Sequence, residues 1–376
     1  MIVRNESQVI LRCLRSVRSL VDYVLVVDTG STDGTQAIIR EYLAAAALPG
    51  AVIEEPWRDF SHNRSFALAK LRERPDIDYA FVIDADDTLV FADGFDALSF
   101  RKGLDKAFYQ LEIRLGAIRF WRTQILSNRL EFSYKGVLHE FIAAPSTTSS
   151  SGIVSGFHIQ AGTDGVRSHN PEKYRDDTVT LEKALATETD EFVRARYIFY
   201  LGESWMHVGE KEKALQAFLR RAELGFFHEE VSVSLYYAAQ IKGTLGYSDS
   251  EVIGAYLMAY EADPRRAEPL HGAMDYCRRK SKPHQSYLIG KHAITMPEPL
   301  GALFVASWIY GFGLLEEFSV AAYLSGHYRE CLQSIEKLLA DGKIPEGAHP
   351  RLRENARRAA AKLNGVAPAP TAISTT

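Results

Sequence analysis

The sequence is poor in cysteine, since its 376 residues include only Cys13, Cys277 and Cys331. Their odd number and wide spacing, without any C-x-x-C pair, argue against a disulfide scaffold or a cysteine-ligated zinc site and favour a reducing compartment. Long apolar runs are also missing. No stretch reaches the roughly 18 residues of a membrane-spanning helix, and residues 1–6 lack the apolar run of a signal peptide. We therefore expect a cytoplasmic protein with no transmembrane segment.

An excess of basic charge is absent as well. The formal net charge is −4 and no basic stripe dominates, so binding of nucleic acid through bulk charge is not expected. The composition is that of an ordinary globular protein, 46% hydrophobic and 24% charged, which excludes a largely disordered chain. At roughly 100–200 residues per domain, the length predicts two or three domains.

The N-terminal part of the sequence alternates between strand-like and helical patterns. Residues 23–27 and 79–83 are apolar runs of the kind found in strands that are buried on both faces. Their alternation with helical segments predicts an α/β domain with an open, mostly parallel sheet. Ligands of such sheets bind at the carboxyl ends of the strands. Both runs are followed there by an aspartate, Asp28 and Asp84.

The second half of the sequence has helical spacing throughout. We expect an α/β domain over residues 1–165, an all-α domain over 166–365 and a disordered tail over 366–376. The helical part carries a degenerate pattern of small and aromatic residues similar to that of tetratricopeptide repeats, with Trp205 and Phe218 predicted to be core; its best unit contains Leu201, Gly202, Trp205, Gly209, Ala214 and Phe218. The alternative is a plain helical bundle. Either arrangement offers a surface for protein segments and no chemistry.

The sharpest chemical signal is the pair Asp84 and Asp86, which follows the second apolar run. Two carboxylates at the end of a buried strand can hold Mg²⁺ or Mn²⁺, which keeps several waters and takes phosphate oxygens as further ligands. The alternative is an acidic turn that caps a helix near Thr88. The second aspartate-ended strand favours the metal-binding interpretation.

A second candidate site is the turn over residues 28–35. Asp28 can accept hydrogen bonds from a base or a ribose, and the amides after it suit polar or anionic groups. The alternative is that Ser31, Thr32 and Asp33 only cap the helix that follows, which is the favoured role for Asp33. Neither G-x-x-x-x-G-K-[ST] nor G-x-G-x-x-G occurs, so a P-loop is excluded and a nicotinamide or flavin site is disfavoured.

Two further segments carry candidate residues. Arg64 lies in the first turn of a predicted helix, against the helix dipole, which suggests a partner such as a diphosphate or Asp59. The adjacent His139 and Glu140 can supply a metal ligand and a general base. They do not form an H-E-x-x-H zinc motif, because Ala143 stands at the place of the second histidine.

Taken together, five short motifs in this order resemble those of family 2 glycosyltransferases of the GT-A fold. The resemblance is strongest to the bacterial branch with a tetratricopeptide-like C-terminal region, whose junction is similar to residues 165–168 and 171–174. The motifs are Val3-Arg4-Asn5-Glu6, Val26-Val27-Asp28-Thr29-Gly30-Ser31-Thr32-Asp33-Gly34-Thr35, Asp59-Phe60-Ser61-His62-Asn63-Arg64-Ser65, Asp84-Ala85-Asp86-Asp87 and Gly136-Val137-Leu138-His139-Glu140.

The resemblance implies an inverting transfer of a sugar from a nucleotide sugar, most often a UDP-sugar. It places Glu6 and Asp28 near the base and ribose, and Asp84 and Asp86 at the ribose and the metal–diphosphate, with Mn²⁺ or Mg²⁺ as cofactor. It also leaves two departures. The first strand before Asn5 is shorter than usual, and the later histidine ligand of the family has only His158 as a candidate.

The resemblance further implies that Glu140 or His139 is catalytic. We favour Glu140 as the base, because a glutamate is ionised at neutral pH without a shift of its pKa, and His139 as a metal ligand or orienting group. The alternative is that Glu140 pairs with an arginine such as Arg122 and only holds the loop. The acceptor is a glycan, a lipid-linked saccharide or a polypeptide. The competing function is a non-catalytic helical scaffold with a degenerate transferase domain.

Overall fold

A computed structural model of the chain describes residues 1–116, 118–146, 148, 150–165, 170–299 and 302–365. The chain forms two compact units, Met1–Val208 and Gly209–Thr376. The predicted disordered tail, residues 366–376, lies outside the described residues, and so does most of the junction motif at 165–168.

The first unit begins with a parallel sheet of the order β1-β2-β3. The central strand is buried because its side chains are apolar, and Val26 and Val27 are fully inaccessible to solvent. Helices α1 to α3 alternate with these strands, as predicted. The bounds are β1 (Ile2–Val3), α1 (Ile10–Val17), β2 (Val24–Asp28), α2 (Thr35–Ala45), β3 (Gly50–Glu54) and α3 (Phe60–Arg72).

A second sheet of the first unit is mixed, so the expectation of a single, mostly parallel sheet is wrong. Pairs β6–β7, β4–β7 and β5–β11 are antiparallel, whereas β10 and β11 run parallel to β6. The connection from Leu115 to Ile118 is too short for a crossover, which forces β6 and β7 to be antiparallel. The bounds are β4 (Tyr79–Phe81), β5 (Thr88–Phe91), α4 (Ala97–Lys102), β6 (Phe108–Leu115), β7 (Ile118–Ser127), β10 (Ser151–Ile153) and β11 (Phe157–Gln160).

The remaining elements of the first unit surround the loop over residues 136–140. Strands β8 (Ser133–Lys135) and β9 (Phe141–Ala143) form an antiparallel pair on either side of it. Helices α5 (Lys173–Thr187) and α6 (Glu191–Val208) complete the unit. The predicted change from strands to helices therefore falls between Gln160 and Lys173, while the compact unit extends to Val208.

The second unit is mainly helical, as predicted. Phe218 is fully buried, as expected, but Trp205 of α6 is only half-buried, so its predicted place in the core is wrong. Within the described residues, no helix is long and apolar enough to cross a membrane. The bounds are α7 (Lys211–Glu223), α8 (His228–Leu245), α9 (Asp249–Ala262), α10 (Glu268–Arg279), α11 (Pro283–Ala293), β12 (Val305–Ala306), a π-helix (Ile309–Gly313), α12 (Leu314–Leu324), α13 (Tyr328–Asp341), a 3₁₀ turn (Glu346–Ala348) and α14 (His349–Leu363).

Candidate active site

Asp28 ends β2 and organises the turn that follows it. Its Oδ1 accepts hydrogen bonds from the backbone N–H groups of Gly30 (2.9 Å) and Ser31 (2.8 Å). Burial alone would raise the pKa of this carboxyl, but the hydrogen bonds from Ser31 and Gly30 outweigh it and lower the pKa. The second oxygen, Oδ2, is buried and accepts no hydrogen bond from the described residues. Asp28 therefore retains one buried acceptor.

The Asn5-Glu6 motif is bonded directly to this turn. The Asn5 N–H donates to Ser31 Oγ (2.9 Å), and the Thr32 N–H donates back to Asn5 Oδ1 (2.8 Å). The next N–H, that of Glu6, donates to Thr35 Oγ1 at 2.9 Å. Asn5 has a φ of 57°, a left-handed conformation that asparagine tolerates better than most residues. The structure thus brings the predicted Glu6 and Asp28 segments together.

Asp33 has a structural role in the same turn. Its Oδ1 accepts a hydrogen bond from the Thr35 N–H (3.1 Å), and its Oδ2 accepts one from the Ser7 N–H (3.0 Å). Burial opposes ionisation, but these hydrogen bonds dominate and lower the pKa of Asp33 to about 2. Because both oxygens are engaged within the protein, Asp33 ties Ser7 to the first residue of α2 and is not presented as a substrate ligand; the N-cap residue of α2 is Gly34, so the favoured capping role is not observed.

Asp84, which follows β4 closely, lies between two arginines. Arg64 Nη2 donates to Asp84 Oδ1 at 2.6 Å, and Arg122 Nη2 lies 3.5 Å from Oδ2. Burial would raise the pKa of Asp84, but the two positive charges lower it to about 2. Arg122 is much more exposed than Arg64, with side-chain accessibilities of 44% and 10%. Arg122 is therefore accessible to an anionic ligand beside Asp84.

Arg64 also contacts Glu140, the candidate base. Its Nε lies 2.6 Å from Glu140 Oε1, and its guanidinium lies 5.7 Å from the centre of the Tyr134 ring. Glu140 thus pairs with an arginine, as the alternative to a catalytic role expects, but the arginine is Arg64; Arg122, the example given there, pairs with Asp84. Arg64 does not use the partner expected from sequence either, since Asp59 caps α3 by accepting from the His62 N–H (2.8 Å).

Asp86 is covered by the loop that follows β11. A Cβ atom on Gly162 would lie 2.1 Å from the Asp86 carbonyl oxygen, and one on Gly165 would lie 2.8 Å from Asp86 Oδ2. Arg12 fastens this loop, because its Nη2 donates to the Asp86 carbonyl (2.7 Å) and its Nη1 pairs with Asp164 (2.6 Å). Only a loop with glycine at position 162 can approach Asp86 this closely.

Like charges are crowded around Asp84. Burial, followed by the charge of Asp84, raises the pKa of Asp86. The same two causes raise the pKa of Asp87 to about 7, although the Gly162 N–H donates to its Oδ1 at 3.1 Å. Asp87, which the sequence analysis did not single out, is 5% exposed and holds the loop of Gly162 beside Asp86. This concentration of carboxyl groups suits a cation.

The structure assembles only part of the predicted metal-ligand set. The predicted third ligand, His139, stacks its ring on Tyr200, with centroids 3.8 Å apart and planes at 5°. Among the residues that the structure describes, no three His, Cys, Asp or Glu side chains are grouped as a metal site. His139 is therefore not gathered with Asp84 and Asp86. Asp84 and Asp86 can supply two carboxylates to Mg²⁺ or Mn²⁺, which commonly takes its other ligands from water and substrate phosphates, once Arg122 gives up its 3.5 Å contact with Asp84 Oδ2.

His158, the candidate for a later metal ligand, is placed on β11. Burial, followed by the charge of Arg114, lowers its pKa. It opposes Val90 of β5 in the antiparallel ladder. His158 is partly buried, on the face of β11 opposite to the buried Phe157 and Ile159.

Comparison with known proteins supports the family assignment. Residues 1–92 match the family model described as glycosyl transferase family 2. A TPR repeat-containing protein from Synechococcus elongatus is 35% identical over 150 residues, or 38% of this chain and 34% of that protein. A lipopolysaccharide core biosynthesis glycosyltransferase from Rhizobium meliloti is 34% identical over 85 residues, or 23% of this chain and 29% of that protein. The chain spans about a third of the length of these relatives.

A search of solved structures adds a helical protein of low similarity. The crystal structure of MamA superposes with a TM-score of 0.37 and 12% identity over 47% of this chain and 94% of that one. The sequence match carries more weight, because it covers Asp28, Arg64, Asp84 and Asp86 in one segment. Residues 1–92 are thus the part of this chain that is similar to glycosyl transferase family 2.

Proposed function

We propose that the chain transfers a glycosyl group from a nucleotide sugar to an acceptor hydroxyl with inversion. One observation carries the proposal: Arg64 contacts both Asp84 and Glu140 at 2.6 Å. The aspartate expected at the donor diphosphate and the candidate base are thus separated by one guanidinium. A base and a leaving-group site on either side of an anomeric carbon are what an inverting displacement needs.

The nucleotide half of the donor is assigned to the edge formed by β2 and its turn. Asp28 offers a buried carboxylate oxygen that the described residues do not bond, which suits an N–H of a base or a ribose hydroxyl. Glu6 lies on the adjoining segment, whose backbone is bonded to the same turn. We propose UDP as the nucleotide, which is the commonest choice among the family that the sequence resembles.

The diphosphate half is assigned to Asp84, Asp86 and Arg122. Asp84 and Asp86 would hold Mg²⁺ or Mn²⁺, and the bound cation would neutralise charge that develops on the leaving diphosphate. Arg122 lies 3.5 Å from Asp84 with 44% of its side chain accessible, so its guanidinium can donate to diphosphate oxygens. Arg64 differs in being buried between two carboxylates, which makes it a positioning residue.

The displacement itself needs one proton acceptor. Glu140 accepts the proton of the acceptor hydroxyl, the hydroxyl oxygen bonds to the anomeric carbon, and the bond from that carbon to the diphosphate oxygen breaks. The nucleoside diphosphate leaves with the electron pair of that bond. Glu140 is preferred to His139 for this role because its carboxylate points to Arg64 and the donor site, whereas the His139 ring stacks on Tyr200.

The class of acceptor is proposed from the name of one relative. One relative is named for lipopolysaccharide core biosynthesis, which favours a lipid-linked saccharide over a free glycan or a polypeptide. The helical unit would bind a protein partner, as the tetratricopeptide-like pattern suggests. The competing function is a scaffold without catalysis, and the carboxylate set around Arg64 favours the enzyme.

A hydrolysis assay separates the two functions. Purified full-length chain is incubated with a panel of UDP-sugars and Mn²⁺, and released UDP is measured. We expect slow release that EDTA stops and that Asp86→Ala abolishes, whereas Asp93→Ala, a change at an exposed aspartate, leaves it unchanged. If Asp86→Ala releases UDP in EDTA at the wild-type rate, the assignment of the metal to Asp86 is contradicted. No release and no UDP binding by the wild type would support the scaffold.

A further inference from the structure

The loop that carries Glu140 is bound to helix α6. The Val137 N–H donates to Tyr197 Oη at 3.0 Å, and Arg196 Nη2 donates to the His139 carbonyl at 3.1 Å. The His139 ring stacks on Tyr200. Three contacts, all made within residues 196–200 of α6, thus join the loop to this helix.

Aromatic contacts continue the same interface on both sides of the loop. The Arg196 guanidinium lies 5.0 Å from the centre of the Phe141 ring, and Phe141 packs edge-on against Phe192 at 5.3 Å. On the other side, Lys135 Nζ pairs with Asp190 Oδ2 at 3.1 Å. The loop is therefore held at both of its ends as well as at its middle.

The conformation of the loop needs such support. His139 has a φ of 51°, a left-handed conformation that costs a histidine energy unless its surroundings fix it. The stack on Tyr200 and the bond from Arg196 act on that same residue. Neighbouring side chains then point in different directions: His139 towards α6, and Glu140 towards Arg64.

We propose that Arg196, Tyr197 and Tyr200 of α6 are positioning residues for the candidate base Glu140, so that the helical half supplies part of the transferase site. This inference rests on the proposed function. In this proposal His139 is the residue through which the loop is held to α6, and we call it the anchor. The proposal replaces the expectation that the helical residues 166–365 have no part in the chemistry. On the α6 side Tyr197 and Tyr200 are 3% and 8% exposed, whereas His139 itself is exposed to solvent.

The test uses the full chain and two measurements. Tyr200→Leu removes the stack on His139, and Arg196→Gln removes the charged bond to its carbonyl. We expect both to lower kcat for UDP-sugar hydrolysis about 10–100-fold, the usual cost of misplacing a catalytic group. KM for the donor and the affinity for UDP with Mn²⁺ stay unchanged, because the contacts described for these residues are with the loop and with Phe141. Tyr200→Phe keeps the ring and restores kcat.

A control removes a second stack on α6, that between Tyr174 of α5 and His207 of α6. The Tyr174 ring stacks on His207 with centroids 4.0 Å apart, away from the loop, and Tyr174→Leu is expected to leave kcat unchanged. If Tyr174→Leu lowers kcat as much as Tyr200→Leu, the effect comes from general damage to the helix and the inference is overturned.

Hydrogen exchange provides a readout that does not depend on activity. Tyr197→Phe deletes only the hydroxyl that accepts from the Val137 N–H, so amide exchange over residues 137–141 should accelerate while exchange in β2 stays the same. Unchanged exchange and unchanged kcat in these variants would overturn the inference. A wild type without turnover would contradict the proposed function instead, and the exchange data would then decide the anchoring alone.

Discussion

Glu140 faces Asp84 across a single guanidinium, that of Arg64, although the two acids come from distant segments of the sequence. The two carboxylates share this one buried cation, and Arg122 adds a second positive charge 3.5 Å from Asp84 Oδ2. Burial would lower the pKa of Arg64, but the charges of Asp84 and Glu140 outweigh it and raise the pKa. The guanidinium is therefore charged at every pH at which the protein folds, and it fixes the spacing of the two acids.

Removal of the Arg64 charge should destabilise the fold as well as abolish activity. Arg64→Met leaves Asp84 and Glu140 without their shared partner, and the loss of one member of a buried charge pair costs about 3–5 kcal/mol. Urea unfolding of the full chain measures this change. Arg64→Lys keeps the positive charge but lacks the planar guanidinium that contacts both acids. Its unfolding free energy should therefore lie between those of Arg64→Met and the wild type.

The control for that series is Arg58→Met, since Arg58 lies just before α3 and is exposed. Its unfolding free energy should change by less than about 0.5 kcal/mol. If Arg58→Met and Arg64→Met lose the same unfolding free energy, the contact of Arg64 with Asp84 and Glu140 does not stabilise the fold.

Glu140→Gln should separate catalysis from binding. The amide keeps the shape of the side chain but cannot take the proton of an acceptor hydroxyl. We expect UDP and Mn²⁺ to bind as in wild type while transfer falls about 10²–10⁴-fold, the usual contribution of a general base. Glu131→Gln, at an exposed glutamate of the preceding segment, serves as the control. Wild-type rates in Glu140→Gln, together with an inactive His139→Ala, would move the base to His139.

Asp28 should contribute directly to nucleotide affinity. Asp28→Ala removes the buried acceptor, and a lost hydrogen bond of this kind weakens UDP binding by about 1–3 kcal/mol. Asp28→Asn retains an oxygen for the N–H groups of Gly30 and Ser31 but loses the carboxylate, so it separates binding from the shape of the turn. Calorimetry with UDP measures both. Unchanged affinity in both variants would limit Asp28 to a structural role.

Phe218 tests the packing of the second unit. It is fully buried in α7 and contacts the Tyr237 ring at 5.2 Å between centroids. Phe218→Ala should reduce the unfolding free energy by about 3–5 kcal/mol, the range for a buried aromatic residue. Leu224→Ala, at a residue 38% exposed just after the same helix, is the control and should change it far less. If the two variants lose similar amounts of unfolding free energy, burial of Phe218 contributes little to stability.

The sequence was a good guide wherever the signal was local. Asp28 and Asp84 could be placed after buried strands because apolar runs such as residues 24–27 report burial directly. A helix that begins shortly before Arg64 was also predicted, and α3 begins at Phe60. These features depend on interactions between residues close in sequence.

Features that depend on distant pairs could not be predicted. The pairing of Arg64 with Asp84 and Glu140 joins three elements, and no periodicity encodes which acid an arginine meets. The contacts of α6 with the loop of Glu140 were missed for the same reason. Trp205 was misplaced because a repeat pattern gives the register of an average unit, whereas the observed helix leaves this ring half-buried.

The close approach of Gly162 to Asp86 limits which residues evolution can accept at position 162. Even the smallest side chain at position 162 would put a carbon atom 2.1 Å from a backbone oxygen, which no rotamer can relieve. The two positions are far apart in the chain but are constrained as one unit. Any homologue that keeps the same loop over its acidic turn must therefore keep glycine there, and a substitution at this position identifies a descendant in which the loop has been rebuilt.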